Sequence, residues 1–151
     1  LIDGDLRKPR QHELFKIESQ TGLSSLLAGR MQDQVVTFVH GIPGLAVLPA
    51  GPTPPNPAEL LSRPGLSRIL AQSSSSFDIV LVDTPAFNAG ADTALLARAV
   101  GAVLVVARNH VTRVSTFNDV VAGLADSNVQ VVGSVLVDVP TSKNASLSTA
   151  D

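Results

Sequence analysis

Three apolar segments rich in β-branched residues constrain the fold more than any other feature of this sequence. They lie near residues 77–83, 102–107 and 129–137. Apolar runs that lack strict alternation are typical of strands covered on both faces, as in a parallel sheet. Helical patterns lie between them, over 91–100 and over 112–126. Strands that alternate with helices predict an α/β fold with a mainly parallel, doubly wound sheet.

The first half of the chain is less regular. We predict a short helix that ends at Gly29 and two short strands within residues 35–51. Prolines then predict an extended connector, and Asn56 followed by Pro57 predicts the start of a helix. The serines at 73–76 predict a polar break before the next strand.

Two local expectations concern the second half of the chain. Thr112 is the predicted N-cap of the helix that runs to Asp126, with Val120, Val121 and Leu124 on its inner face. From Asp138 onward the pattern dissolves, which predicts a frayed tail.

Length and composition limit the function classes. The 151 residues are enough for one domain, which we expect over 1–137 with a disordered tail over 138–151. A net charge of −2 argues against nucleic acid as a partner. The chain has no cysteine, so thiolate metal sites and disulfides are excluded. Because the sequence begins inside a strand-like run, we interpret it as a fragment or a processed product.

The opening stretch "LIDGDLRKPR" places two acids directly after two aliphatic residues. Asp3 and Asp5 are two residues apart, so on a strand their side chains point the same way. Like charges this close repel unless a cation or a basic group neutralises them. The carboxyl edge of an open α/β sheet is also where such proteins bind ligands. The stretch therefore indicates a metal or a phosphate site.

A second acid follows an apolar run in "IVLVDTPA". Asp83 stands at the end of that predicted strand, and Thr84 with Pro85 stops it at once. A carboxylate there can bind Mg²⁺ through water, as the Walker B acid of nucleotide hydrolases does. The alternative is an aspartate that caps the following turn.

Four stretches in this order carry a family resemblance: "LIDGDLRKPR", "LPAGPTPPNPAELL", "FDIVLVDTP" and "LVVARNHVTR". Together they resemble the bacterial tyrosine kinases of exopolysaccharide synthesis, especially the type associated with chain-length determination. The opening looks like the Walker A′ motif and the Asp-Thr-Pro end like Walker B. The resemblance runs from Leu1 to about Leu136 and implies a sheet of the P-loop NTPase type.

The resemblance also implies roles for individual residues, with ATP and Mg²⁺ as cofactors. Asp3 looks like the acid that approaches the γ-phosphate or the attacking hydroxyl. Asp5 and Asp83 look like indirect Mg²⁺ ligands that act through water. Arg7 matches the arginine after the acidic pair, and a salt bridge to Asp5 or another acid is its alternative. Arg108 is a candidate on the nucleotide side, with a surface arginine as the alternative.

The sequence departs from the family pattern in three ways. It contains no G-x-x-x-x-G-K-[ST] phosphate loop and no tyrosine. Val137 stands where relatives often have an asparagine that contacts adenine. In the family the phosphate loop lies upstream of Walker A′, on a strand and helix that this chain is expected to lack. That loss predicts a gap beside residues 77–83 and negligible binding of ATP·Mg²⁺ by the chain alone.

Three functions remain open from the sequence. The first is the Walker A′ and Walker B part of an ATP-dependent protein-tyrosine kinase that regulates exopolysaccharide polymerisation and export. The second is a non-catalytic regulatory module of a polysaccharide co-polymerase. The third is an ATPase of the partitioning or septum-site type, against which the proline-rich connector argues.

The resemblance further implies partners and a location. It predicts a membrane chain-length or co-polymerase protein as partner and homo-oligomers of the full-length protein. The implied location is cytoplasmic, at the inner face of the membrane through that partner. His12, His40 and His110 show no metal-ligand spacing, so structural or solvated roles are expected for them.

Overall fold

The computed structural model describes residues 1–30 and 36–140 of the chain. Contacts divide the chain into two compact units, Leu1–Gly101 and Ala102–Asp151. Both units contain parallel strands and helices, which confirms the predicted α/β class. Two predicted features lie partly outside the described residues. They are the tail, from residue 141 onward, and the segment 35–51, at its first residue. The domain limits stay a prediction.

The described part of the first unit, residues 1–30 and 36–101, has four two-residue strands. β1 pairs with β4 in parallel, and β2 pairs with β3 antiparallel. Leu48, just after β3, also bridges to Ile2 in parallel, so the order across the unit is β4, β1, β3, β2. The strands are β1 (Ile2–Asp3), β2 (Thr37–Phe38), β3 (Ala46–Val47) and β4 (Val82–Asp83).

The same described residues contain five helices, which supply most of the core of this unit. The buried cluster joins β1 and the strand extension at Leu48 to leucines of the second to fifth helices. A three-residue 3₁₀ turn, Phe87–Ala89, follows β4. The helices are α1 (Gln11–Phe15), α2 (Leu23–Leu27), α3 (Pro57–Leu61), α4 (Gly65–Ser76) and α5 (Asp92–Ala99).

A close backbone approach fixes the start of the proline-rich connector. The Leu23 N–H donates to the Pro49 carbonyl at 2.8 Å, and the Ser24 hydroxyl donates to the Pro52 carbonyl at 2.7 Å. A Cβ on Gly22 would lie 2.1 Å from the Pro49 oxygen. Only glycine therefore allows α2 to dock on the connector at this point.

The second unit is one βαβ arrangement built from β5 (Val103–Arg108), α6 (Val114–Asp126) and β6 (Val131–Val137). The strands are parallel, as predicted, and Arg108 pairs with Val137 at their ends. Val105 of β5 and Leu124 of α6 are buried. Leu104 and Val106, on the other face of β5, are exposed. The prediction that both faces of this strand are buried is therefore wrong.

The segment predicted as a strand over 77–83 is hydrogen-bonded as a strand only at its last two residues. A ladder needs a partner, and within residues 1–30 and 36–140 β4 pairs only with the two residues of β1. Ile79 and Leu81 are exposed. The expected gap beside this segment stays a prediction.

One predicted helix cap, at Thr112, is wrong, and the position of another, at Asn56, is confirmed. Helix α6 begins at Val114, and the Thr112 hydroxyl accepts the Arg108 N–H at 2.8 Å, so Thr112 closes the turn after β5 instead. Asn56 precedes α3 as predicted, but its side chain caps no backbone N–H. Its amide donates to Glu59 at 3.3 Å.

The predicted polar break at 73–76 is also wrong, because these serines form the last turn of α4. The hydroxyls of Ser75 and Ser76 donate to the Gln72 carbonyl at 2.8 and 3.1 Å. Hydroxyls that bond to the preceding turn are satisfied within a helix.

In the described part of the chain, no helix combines the length and apolarity needed to cross a membrane.

Candidate functional site

The site is built at the carboxyl ends of β1 and β4. Because these strands are parallel, Asp3 and Asp83 are register partners at the same edge of the sheet. The Gly4 N–H continues the pairing to the Asp83 carbonyl at 2.9 Å. A Cβ on Gly4 would lie 2.6 Å from that carbonyl oxygen. Glycine therefore lets the opening loop pass close to the end of β4.

Asp3 is fully buried beneath this edge. Its Oδ1 accepts the Asp5 N–H at 3.3 Å, and its Oδ2 accepts the Gln11 N–H at 3.1 Å. Burial raises the pKa of Asp3, and the nearby charges of Asp83 and Asp5 raise it further. The two backbone hydrogen bonds act in the opposite direction. The charges of Asp83 and Asp5 thus lie close enough to act on Asp3.

Asp5 organises the loop that follows β1. Its Oδ1 accepts two backbone N–H groups, from Arg7 at 3.0 Å and from Lys8 at 2.9 Å. Aspartates commonly close such turns on the backbone just ahead of them. The loop is therefore shaped by the same acidic side chain that was predicted as a metal ligand.

Gln11 is a site residue that sequence reasoning missed. Its side-chain Nε2 donates to Asp83 Oδ2 at 2.7 Å, while its backbone N–H bonds Asp3. It is the first residue of α1, a helix that was not predicted. The helix-favouring run after Pro9 was the only sequence signal for it. The neighbouring His12 has its Nδ1 buried without a hydrogen-bond partner among the described residues.

Arg7 pairs with an acid that sequence reasoning also missed. Its Nε lies 2.7 Å from Asp92 Oδ2, and its Nη2 lies 3.1 Å from Asp92 Oδ1. Asp92 is buried at the start of α5, where a helix N-terminus favours a carboxylate. The hydrogen bond and charge of Asp92 raise the pKa of Arg7. In the structure Arg7 therefore forms a salt bridge, which was the alternative to a catalytic role. The catalytic role of Arg7 stays a prediction.

Arg108 lies in the second unit, at the end of β5. Its Nε contacts Asp138 Oδ2, and both side chains are exposed. This pairing matches the surface alternative, and a nucleotide role for Arg108 stays a prediction. Val137, its register partner, ends β6.

The roles of Asp5 and Asp83 as Mg²⁺ ligands that act through water stay predictions. Among residues 1–30 and 36–140, no group of three His, Cys, Asp or Glu side chains could hold a metal ion. Asp5 and Asp83 are partly exposed, and each uses one oxygen in the hydrogen bonds given above. Mg²⁺ keeps several of its waters in protein sites. These two carboxylates can accept hydrogen bonds from such waters.

A separate cavity of about 380 Å³ lies beside the proline-rich connector. Its lining combines connector prolines with Ser24, Arg30, Asn56 and Arg63. The three acids do not line it, so it is distinct from the carboxylate edge.

Comparison with known proteins shows a consistent set of relatives. The chain is 36% identical over 136 residues to the tyrosine-protein kinase wzc of Salmonella typhi, covering 90% of this chain. It superposes on the kinase domain of the Escherichia coli tyrosine kinase ETK with a TM-score of 0.83, at 32% identity, over 97% of this chain. It superposes on the VpsO kinase domain with a TM-score of 0.83, at 34% identity, over 89% of this chain. No protein-family model matches the chain.

The extent of these matches defines what the chain represents. It spans 19% of the wzc kinase, 59% of the ETK domain and 67% of the VpsO domain. The fold is that of these kinase domains, which confirms the predicted P-loop NTPase type. The chain belongs to the bacterial tyrosine kinases and covers part of their kinase domain.

Proposed function

We propose that the chain supplies the Walker A′ and Walker B part of an ATP-dependent protein-tyrosine kinase that regulates exopolysaccharide polymerisation and export. The observation that carries the proposal is the register pairing of Asp3 with Asp83 at one sheet edge. Membership of the tyrosine kinase family supports it independently. ATP and Mg²⁺ are the proposed cofactors.

The proposed roles of the three acids differ with the exposure of their side chains. Asp5 and Asp83, which are partly exposed, hold Mg²⁺ through its waters. When bound, Mg²⁺ neutralises charge on the transferring phosphate. Asp3 is the acid proposed to approach the γ-phosphate or the attacking hydroxyl, and because it is fully buried, substrate binding would have to expose its side chain. Its raised pKa supports this role, because a base with a pKa closer to neutrality accepts a proton more effectively.

The proposed roles of the two arginines differ. Arg7 keeps the loop after β1 attached to α5 through Asp92, and so positions the acids. Arg108 is proposed on the nucleotide side, and binding there would have to exchange its contact with Asp138.

We also propose a cytoplasmic location at the inner membrane face, through a membrane chain-length or co-polymerase protein. The full-length protein is proposed to form homo-oligomers. Both proposals rest on the family resemblance.

The test compares tyrosine phosphorylation by the full-length natural protein and by its Asp83→Asn variant, with labelled ATP and Mg²⁺. We expect the variant to lose on the order of a hundredfold in rate, because phosphoryl transfer depends on charge neutralisation. Asp78→Asn is the matched control, since Asp78 is exposed and lies near the start of the segment 77–83 that ends at Asp83. Absence of tyrosine phosphorylation by the natural protein would contradict the proposal and favour the non-catalytic regulatory module.

Residues 1–151 alone are expected to bind ATP·Mg²⁺ negligibly. The sequence has no G-x-x-x-x-G-K-[ST] loop, whose amides and lysine carry most phosphate contacts. Calorimetry measures this directly, and tight binding by this chain would contradict the expectation.

A further inference from the structure

We infer that Asp92 and Thr93, the first two residues of α5, are positioning residues that hold the loop after β1 and the loop after β4 against one helix. Asp5 lies in the first of these loops, and Asp83 directly precedes the second. The inference rests on the proposed function only where it concerns catalysis. It goes beyond that function because it gives α5 a role for both loops and names Thr93, which no predicted motif includes.

The pairing of β1 with β4 is too short to hold these loops by itself. It has two register pairs, and the second of them joins Asp3 to Asp83. One further hydrogen bond, from the Gly4 N–H to the Asp83 carbonyl, continues the pairing beyond the acids. The chain that follows each acid has therefore left the sheet, and its position depends on contacts with other elements.

Asp92 holds the loop after β1. Its two carboxylate oxygens accept hydrogen bonds from Arg7, at 2.7 Å from Nε and at 3.1 Å from Nη2. The Arg7 backbone N–H in turn donates to Asp5 Oδ1 at 3.0 Å. Asp92 is 1% exposed, and a two-point contact with a buried carboxylate fixes the orientation of the guanidinium. The helix thus reaches Asp5 through one intervening residue.

Thr93 holds the loop after β4. Its hydroxyl donates to the Pro85 carbonyl at 2.8 Å, and both residues are buried. Pro85 follows Asp83 by two positions in the chain. Because a buried carbonyl that loses its donor carries a desolvation cost, this bond restrains the loop. Adjacent residues of one helix therefore hold the two loops.

The hydrophobic core anchors α5 itself. Leu96, one turn after Asp92, is 0% exposed and belongs to the buried cluster of the first unit. A Cβ on Gly4 would lie 2.9 Å from Leu96 Cδ1, so the helix also packs against the backbone between Asp3 and Asp5. Close packing of this kind keeps the first turn of α5 in one place. Both loops are thus attached to the same anchored element.

The first test measures kcat and KM for ATP in tyrosine phosphorylation by the full-length natural protein and by its Thr93→Val and Thr93→Ser variants. Valine has the shape of threonine without the hydroxyl donor, and serine keeps that donor. We expect Thr93→Val to lower kcat about tenfold and to leave KM for ATP within about twofold, because misplaced groups slow the chemical step. Thr93→Ser should retain most of kcat. Thr21→Val is the matched control, since Thr21 is exposed in the same unit.

A natural kcat for Thr93→Val would overturn the inference. A Thr93→Ser variant as slow as Thr93→Val would also overturn it, because the hydrogen bond would then not be the cause. So would a loss confined to KM for ATP. Asp92→Asn should lower kcat as well, and it provides the same comparison if Thr93→Val fails to fold.

The second test does not depend on activity. Amide hydrogen exchange of the same full-length proteins is followed by mass spectrometry over residues 5–8 and 84–88. Thr93→Val should speed exchange over 84–88 by roughly threefold to tenfold, and Asp92→Asn should do so over 5–8, as expected for a lost hydrogen bond. Exchange over α4 should stay unchanged, which separates local release of a loop from a general loss of stability.

Unchanged exchange over both loops would overturn the inference, and so would an equal acceleration over α4. Absence of tyrosine phosphorylation by the natural protein would contradict the proposed function alone. The exchange measurement then decides whether α5 holds the two loops.

Discussion

The two units differ in how far the described residues cover their apolar strands. In the first, β1 and β3 are only two residues long, yet all four of their residues are buried. In the second, β5 and β6 have six and seven residues, but most positions on them are exposed or partly exposed. Strand length does not decide this burial, because β2 and β4 are also two residues long and have no buried residue.

The difference in strand burial follows from the number of helices in each unit and not from the composition of the strands. Five helices lie within residues 1–30 and 36–101 of the first unit, whereas α6 is the only helix within residues 102–140 of the second. Apolar, β-branched sequence favours a strand in both places. Burial requires a second layer on each face, which the strand sequence does not provide by itself.

The comparison predicts opposite outcomes for the same substitution in the two units. Leu96 on α5 is 0% exposed and Leu104 on β5 is 54% exposed. Leu96→Ala should lower the free energy of unfolding by about 2–5 kcal/mol through lost burial and a cavity. Leu104→Ala should cost less than about 1 kcal/mol, since surface changes are small. Urea denaturation followed by circular dichroism suits a chain without Trp or Tyr.

Equal costs for the two substitutions would break the comparison. That result would mean that the outer face of β5 is covered in solution. A smaller cost for Leu96→Ala than for Leu104→Ala would contradict the packing described for the first unit.

A second pair of substitutions compares the ion pairs of the two units. Asp92 is buried and takes two hydrogen bonds from Arg7, whereas Asp138 and its partner Arg108 are both exposed. Asp92→Asn places an amide against the guanidinium and should cost roughly 1–3 kcal/mol, toward the lower end because Arg7 is half-exposed. Asp138→Asn should change stability by less than about 0.5 kcal/mol.

Thermal and urea unfolding of both variants measure these differences. Added salt provides a control, because an exposed pair weakens with ionic strength and a partly buried pair weakens less. A cost for Asp138→Asn as large as that for Asp92→Asn would contradict the assignment.

The smallest expected effect concerns pH and the buried acid of the first unit. Burial raises the pKa of Asp3 in the folded state above its ordinary 3.8. The folded state then binds this proton more tightly, so the contribution to stability is fully present below about pH 3.8. It is lost as pH rises through the raised pKa. The natural chain should therefore lose stability relative to Asp3→Asn over that window.

Urea midpoints of the natural chain and Asp3→Asn, measured from about pH 3 to about pH 8, test this slope. Asp78→Asn, at an exposed acid, serves as the control. A difference between the natural chain and Asp3→Asn that grows toward low pH would contradict the raised pKa.

Local patterns predicted much of the fold but not its details. Periodicity predicted the parallel strands and the helix that α5 forms. The turn between β2 and β3 follows from Gly41 and Gly44, which both have positive φ. The cap at Thr112 failed because its hydroxyl found a backbone donor four residues earlier. A cap preference and a turn preference draw on the same side-chain oxygen, and only the surrounding chain decides between them.

The candidate site was predicted in the same partial way. The acids Asp3, Asp5 and Asp83 were selected because each follows an apolar run. Gln11 and Asp92 were not, because their partners lie 72 and 85 residues away in the chain. No local pattern reports a contact at that separation.

The sequence by itself determined several of the segments that form strands and helices and which acids stand at strand ends, because periodicity and turn residues act over a few positions. Only the tertiary structure decided what those acids contact. The parallel pairing of β1 with β4 set Asp3 beside Asp83. The docking of α1 and α5 then brought Gln11 to the acids and Asp92 to Arg7. Hydrogen bonds and ion pairs depend on distance in space, and folding alone sets that distance for residues far apart in the chain.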